Sequence, residues 1–155
     1  MFVALILPFT TFVHELGHSL VASRLLKVPV EIRLGKRFEG RGLTFGRLTL
    51  KIQPLSGWVG FFSYDVSSEK ESRINNIFIF LAGPISSLIL CSTCFVLIYY
   101  VNFPSIFDYL MKAVANAALA QFVITIIPIK YPSFFGAYNG ISSDGYKVIK
   151  LFRQN

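Results

Sequence analysis

The chain has two histidines, and they stand four residues apart in Val13-His14-Glu15-Leu16-Gly17-His18-Ser19. On an α-helix a step of four residues turns roughly 40° about the axis, so both imidazoles leave one face, a turn apart. That spacing suits two nitrogen ligands on a single tetrahedral zinc. Glu15, beside the first of them, is placed to act as general base toward a water molecule.

The ordinary reading of three adjacent ionisable groups is a solvated helix face. Their flanks argue otherwise. They lie inside an apolar run over residues 2–26, with no charge before His14 and with Leu20-Val21-Ala22 continuing the run. Facing lipid at that depth, each would cost roughly 2.5–3.5 kcal/mol on insertion scales, so they are expected to face a polar interior and to serve a function there. The N-terminal run lacks a positive leading segment and a small-residue cleavage site, and reads as a retained membrane helix rather than a signal peptide.

The composition agrees. Of 155 residues, 54% are hydrophobic and 15% charged, and the net charge is +7. A basic balance can indicate nucleic acid, but here the lysines and arginines fall between and after apolar runs, as orientation signals do. No nucleic-acid partner is expected. Two further runs, 74–101 and 109–129, have the length of membrane spans. Between the first two runs, Val28, Val30, Ile32 and Leu34 alternate with polar residues, and so do Leu48, Leu50 and Ile52. A period of two predicts strands with one apolar face, and the glycines between them permit turns. Residues 53–62 are apolar but broken by proline and glycine, which predicts a re-entrant-like or interfacial loop packed on the helices.

The expected architecture is therefore an α-helical membrane protein forming one unit over residues 1–155. It has three transmembrane helices at about 2–26, 74–101 and 109–129, and a small β-hairpin or sheet within 28–62. Residues 130–143 read as a loop and the remainder as a short tail. Arg33, Lys36, Arg37, Arg41, Arg47 and Arg73 crowd the first connection, and Lys147, Lys150 and Arg153 the tail. The turn at 102–109 has no basic residue. The bias puts the N-terminus outside, with the first connection and the C-terminus in the cytoplasm.

A catalytic zinc needs a third protein ligand and one open position. No other histidine is present, and Cys91 and Cys94 lie in an apolar run where thiols behave as small hydrophobes. A carboxylate must serve. Glu31, Glu39, Asp65, Glu69, Glu71 and Asp144 are open to the cytoplasmic side, whereas Asp108 falls on the other. On spacing alone Asp144, which precedes Gly145, is the best of several. Ala82-Gly83-Pro84-Ile85-Ser86-Ser87 kinks the second run and lets a neighbour approach, while its serines can bond freed carbonyls or a substrate.

Taken together, these stretches resemble the site-2 protease family of intramembrane zinc metalloproteases, over nearly the whole chain. His14-Glu15-Leu16-Gly17-His18 is similar to the family's first-helix motif. The stretch from Leu50 to Val59 resembles the strand and glycine-aromatic stretch that follows, and Ala82 to Ser87 the second-helix motif. Ser143-Asp144-Gly145 resembles the Asp-Gly motif whose aspartate is the third zinc ligand. The sequence departs in having Ser87 and Thr125 where the family often has asparagine, and in placing residues 130–143 between Pro128 and the Asp-Gly pair.

The resemblance implies one zinc per chain held by His14, His18 and Asp144, with Glu15 as the catalytic base. It implies hydrolysis of a peptide bond in a membrane-embedded or membrane-associated protein or peptide, by an integral protein of the lipid bilayer, placed in a bacterial cell membrane. The alternative is a non-catalytic or non-proteolytic zinc-binding membrane protein.

Overall fold

The structure, a computed structural model, describes residues 3–35, 42–53, 59–64 and 72–153. Its elements follow the order α1 (Val3–Leu25), β1 (Val30–Leu34), β2 (Leu43–Phe45), β3 (Leu48–Ile52), β4 (Gly60–Tyr64), α2 (Arg73–Tyr100), α3 (Ser105–Ile126), a 3-10 helix (Ser133–Tyr138) and α4 (Asp144–Arg153).

The three long helices form where the apolar runs predicted them. In α1 the polar residues Thr10, Thr11, His14, Glu15, His18 and Ser19 are buried, while Leu5 is 70% exposed and Phe9, Leu20 and Leu25 also face outward. This inverts the arrangement of a water-soluble protein. Ser72 caps α2, its Oγ accepting a hydrogen bond from Asn75 N–H at 3.1 Å. The buried stripe of α2 is Ile79, Ala82, Gly83, Pro84, Ser87, Cys91 and Cys94, mostly small residues at helical spacing. Such a stripe lets neighbouring helices pack closely in an apolar medium.

Helices α2 and α3 are long and apolar enough to cross a membrane. Their 28 and 22 residues correspond to about 42 and 33 Å, against about 30 Å of hydrocarbon. α1 is a helix of 23 residues, but its polar centre makes it less apolar, so among the described residues two of the three expected spans are long and apolar enough to cross. α3 begins at Ser105, four residues earlier than expected, because Pro104 holds a φ of −53° that suits the entrance to a helix.

The connection after α1 is a four-stranded sheet of order β2-β3-β1-β4. The two strands expected from sequence, β1 and β3, pair in parallel rather than as a hairpin; β3 forms an antiparallel hairpin with β2, and β1 pairs antiparallel with β4. Val30, Ile32 and Leu34 are buried, as the period of two predicts. Gly60–Tyr64 corrects the expectation of an irregular loop through residue 62: the aromatic residues Phe61, Phe62 and Tyr64 suit a strand, and β1 offers a partner. Residues 54–58, the rest of that expected re-entrant-like loop, lie outside the described residues. The sheet joins the helices through a core of Ala22, Leu26, Val30 and Ile79, with Val28, Leu48, Phe62 and Tyr64 packed against it.

The end of the chain corrects the sequence reading more strongly. Residues 130–143 were expected as loop, yet their two ends meet: Tyr131 N–H donates to Ile141 O and Ser143 N–H to Ile129 O, both at 2.9 Å. The expected tail is α4. Ser143 Oγ accepts from Tyr146 N–H at 3.1 Å and donates to Ile127 O at 2.6 Å, capping α4 and tying it to the end of α3. Gly145 seats the contact, because a Cβ there would stand 1.9 Å from Ile126 O. Gly145→Ala must therefore push α4 from α3. We expect a loss of about 1–3 kcal/mol, typical of overpacking, read as a lower thermal midpoint in detergent together with lower zinc content.

Candidate metal centre

α1 presents His14 and His18 on one face, with their Nε2 atoms 3.2 Å apart and their rings nearly perpendicular at 85°. α4 brings Asp144 to the same point. Its Oδ2 lies 3.2 Å from His14 Nε2 and 3.3 Å from His18 Nε2. These three form the one group of its kind among the described residues that could hold a metal ion.

Three edges of 3.2–3.3 Å fit one tetrahedral ion: bonds of 2.0–2.1 Å at tetrahedral angles put ligand atoms about 3.3–3.4 Å apart. The outer nitrogens support the same reading. His18 Nδ1 lies 2.6 Å from Ile79 O, and a carbonyl only accepts, so that nitrogen carries the proton and Nε2 keeps its lone pair. His14 Nδ1 lies 3.0 Å from Ser87 Oγ, an oxygen able to accept its proton and so leave Nε2 bare for a cation as well. Two imidazole lone pairs and a carboxylate oxygen thus converge, an arrangement that a cation stabilises. The residues fit a zinc ion.

The side chains of the centre are buried. His14 is 4% exposed, Glu15 7%, His18 2% and Asp144 6%. Phe62 of β4 stacks on the His18 ring at 4.5 Å. Gly83 of α2 abuts the other side, where a Cβ would stand 2.2 Å from His18 Nε2. Lys147 Nζ donates to the other carboxylate oxygen, Asp144 Oδ1, at 3.1 Å.

A cleft of about 390 Å³ opens on this centre, lined by Glu15 and also by Thr10, Thr11, Gln121, Thr125, Tyr131 and Tyr138. Gln121 Oε1 is buried without a hydrogen-bond partner among the described residues. Burial pushes the Tyr131 hydroxyl up to about 12, the Asp144 and Glu15 charges adding to it. It stays a donor throughout the physiological range.

Of the other carboxylates considered from sequence, the two that lie among the described residues, Glu31 and Asp108, do not converge here. Glu31 pairs with Arg33 and with Lys51 across the sheet, and Asp108 pairs with Lys112 within α3. Glu39, Asp65, Glu69 and Glu71 lie outside the described residues. Cys91 and Cys94 are buried in α2, apart from the group. Sequence reasoning missed the supports of the imidazoles. Ser87, which the sequence offers as a partner for carbonyls or substrate, bonds His14 instead. The Ile79 carbonyl has no signature in sequence at all.

Residues 2–142 match peptidase family M50, and the chain belongs to that family, a zinc metalloprotease family of membrane proteins. The match covers His14, Glu15 and His18 and stops two residues before Asp144. No curated protein and no solved structure gives a significant match.

The hydroxyl of Ser87 fixes the His14 ring, and loss of such an orienting partner typically weakens metal affinity 10–100-fold. Ser87→Ala is expected to do so with the fold intact, measured by competition with a chromogenic chelator.

Proposed function

We propose that the chain is a zinc-dependent intramembrane endopeptidase acting on a membrane-embedded or membrane-associated protein or peptide. The observation that carries this reading is the near-equilateral triangle of His14 Nε2, His18 Nε2 and Asp144 Oδ2, set in a cleft that Glu15 also lines. His14, His18 and Asp144 are its three ligands, with one zinc per chain. Ser87 and the Ile79 carbonyl keep the two imidazoles in the ligating tautomer.

When bound, zinc supplies Lewis-acid polarisation of the scissile carbonyl and acidifies a water molecule to a pKa of about 7. Glu15 takes a proton from the attacking water and delivers it to the nitrogen of the leaving amine. Its side chain lies against Gly60, since a Cβ on that glycine would stand 3.0 Å from Glu15 Oε1. The base is thereby fixed between α1 and β4. The unpartnered Gln121 Oε1 and the Tyr131 hydroxyl offer hydrogen bonds to the substrate backbone. A zinc-binding membrane protein without proteolysis would need neither a base nor a cleft beside its metal.

In this reading α1 is a third span. Its exposed Leu5, Phe9, Leu20 and Leu25 face lipid, and its polar face closes on α2, β4 and α4. The lysine and arginine bias puts the C-terminus and the sheet in the cytoplasm, and residues 102–104 outside.

Glu15→Gln should retain zinc and lose cleavage of a model membrane substrate by about 10²–10⁴-fold, since glutamine keeps the shape but accepts no proton. Asp144→Ala should lose both zinc and cleavage, and Asp108→Ala neither. Normal cleavage by the Glu15 variant would end this mechanism. Reporter fusions should place residue 155 inside and Asn102 outside; an external signal from a fusion after residue 155 contradicts the three-span arrangement.

A further inference from the structure

β4 is the outer strand of its sheet, and its far side has no strand partner among the described residues. Leu34 stands opposite Gly60, and Gly35 N–H donates to Val59 O at 2.8 Å. In an antiparallel ladder adjacent residues alternate between facing the partner strand and facing away. Val59 faces β1, so the N–H and C=O of Gly60 point to the outer edge.

One side chain takes both groups. Gly60 N–H donates to the Tyr138 hydroxyl oxygen at 2.8 Å, and that hydroxyl lies 3.3 Å from Gly60 O, placed to donate to it. An extended peptide pairing with β4 would use the same two groups. Gly60 also lies against Glu15, and Phe62, next along this edge, stacks on His18. Whatever occupies the edge passes in front of the base and the metal ligands.

Tyr138 belongs to the segment whose ends meet at Tyr131 and Ile141, and Tyr131, Phe135 and Ile141 of that segment wall the same cleft. Gly136 at φ 60° and Gly140 at φ 75° shape it, and at both positions a side chain would be strained. Burial, with the Glu15 charge, raises the Tyr138 hydroxyl, which stays protonated.

We propose that Tyr138 is a specificity-determining residue: it occupies the substrate's place on the β4 edge and yields to a segment that can go extended. A peptide in that conformation supplies a carbonyl for Gly60 N–H and an N–H for Gly60 O, and so replaces both bonds. A helical segment offers neither, because its own groups are paired within the helix. This inference rests on the endopeptidase reading.

The test uses the full-length zinc-loaded protein in detergent. The probes are two fluorescent single-span peptides, one with Gly-Pro in mid-span and one of leucine and alanine. Binding is measured in the Glu15→Gln background, where nothing is cleaved, with and without Tyr138→Phe. The phenylalanine keeps the ring contacts to Phe61 and Tyr131 and removes the two hydrogen bonds. Loss of these competitors should tighten binding of the Gly-Pro peptide roughly three- to tenfold, with a smaller change for the leucine-alanine peptide. Exchange of the Gly60 amide should rise without any peptide. Replacing residues 132–140 by Asn-Gly, a turn suited to the paired ends, should tighten Gly-Pro peptide binding in the same direction.

Unchanged or weaker binding of the Gly-Pro peptide by both variants overturns the proposal. So does a fall in kcat at constant KM for Tyr138→Phe with Glu15 intact, which would assign the hydroxyl to the transition state. If the variants bind as expected but the Glu15-containing protein leaves the bound peptide uncut, the gate stands and the endopeptidase reading fails.

Discussion

Two imidazoles and a carboxylate, each more than nine-tenths buried, face one another with their lone pairs at 3.2–3.3 Å. Without a cation this is a costly arrangement, since buried charge and buried lone pairs need partners. Much of the fold follows from meeting that constraint. Each ligand imidazole is met by a group of α2, the His18 ring lies between Phe62 and Gly83, and the carboxylate is delivered by α4. The polar centre of α1 is acceptable in an otherwise apolar molecule because α2, β4 and α4 all close over it.

Such closure requires backbones to approach more nearly than side chains allow, and glycine supplies the approach at each seam. Gly83 lets α2 reach the His18 ring, Gly60 lets β4 reach Thr11 and Glu15, and Gly145 lets α4 reach the last carbonyl of α3. These are steric requirements rather than turn requirements, since none of the three has a left-handed φ. Pro84, buried beside Gly83, has no N–H to offer the Phe80 carbonyl one turn earlier, and the Ile79 carbonyl next to it accepts from His18.

How much of this was legible depended on whether a contact is carried by residue identity or by backbone placement. His14, Glu15 and His18 were legible because a helix converts a spacing of four into a shared face without help from the rest of the chain. Asp144 needed a second signal, the following glycine, and its place emerged only through the resemblance to other sequences. The Ile79 carbonyl was not legible, because every residue has one. β4 was missed because Gly60-Phe61-Phe62-Ser63-Tyr64 has no alternation of polar and apolar residues, so its pairing with β1 leaves no trace of period two. α4 was legible in principle: Ser143 as cap, Asp144 in the first turn, and Lys150 and Arg153 in the last are helix signals.

The segment 130–143 shows why a departure from a familiar spacing need not displace a ligand. Fourteen residues separate Ile129 from Asp144, yet Ser143 N–H bonds Ile129 O and Ser143 Oγ bonds Ile127 O. The chain leaves and returns through nearly one point, so the length of the segment does not itself carry Asp144 away from the end of α3. Closing such a loop costs entropy that grows only with the logarithm of its length. Part of that cost is offset by the Tyr131–Ile141 pairing and by the contact of Tyr138 with Gly60. The sequence inside the closed ends is thus released from the geometry of the metal centre. What it does carry, three aromatic walls of the cleft and a hydroxyl on the β4 edge, bears on what the cleft admits rather than on how the ion is held.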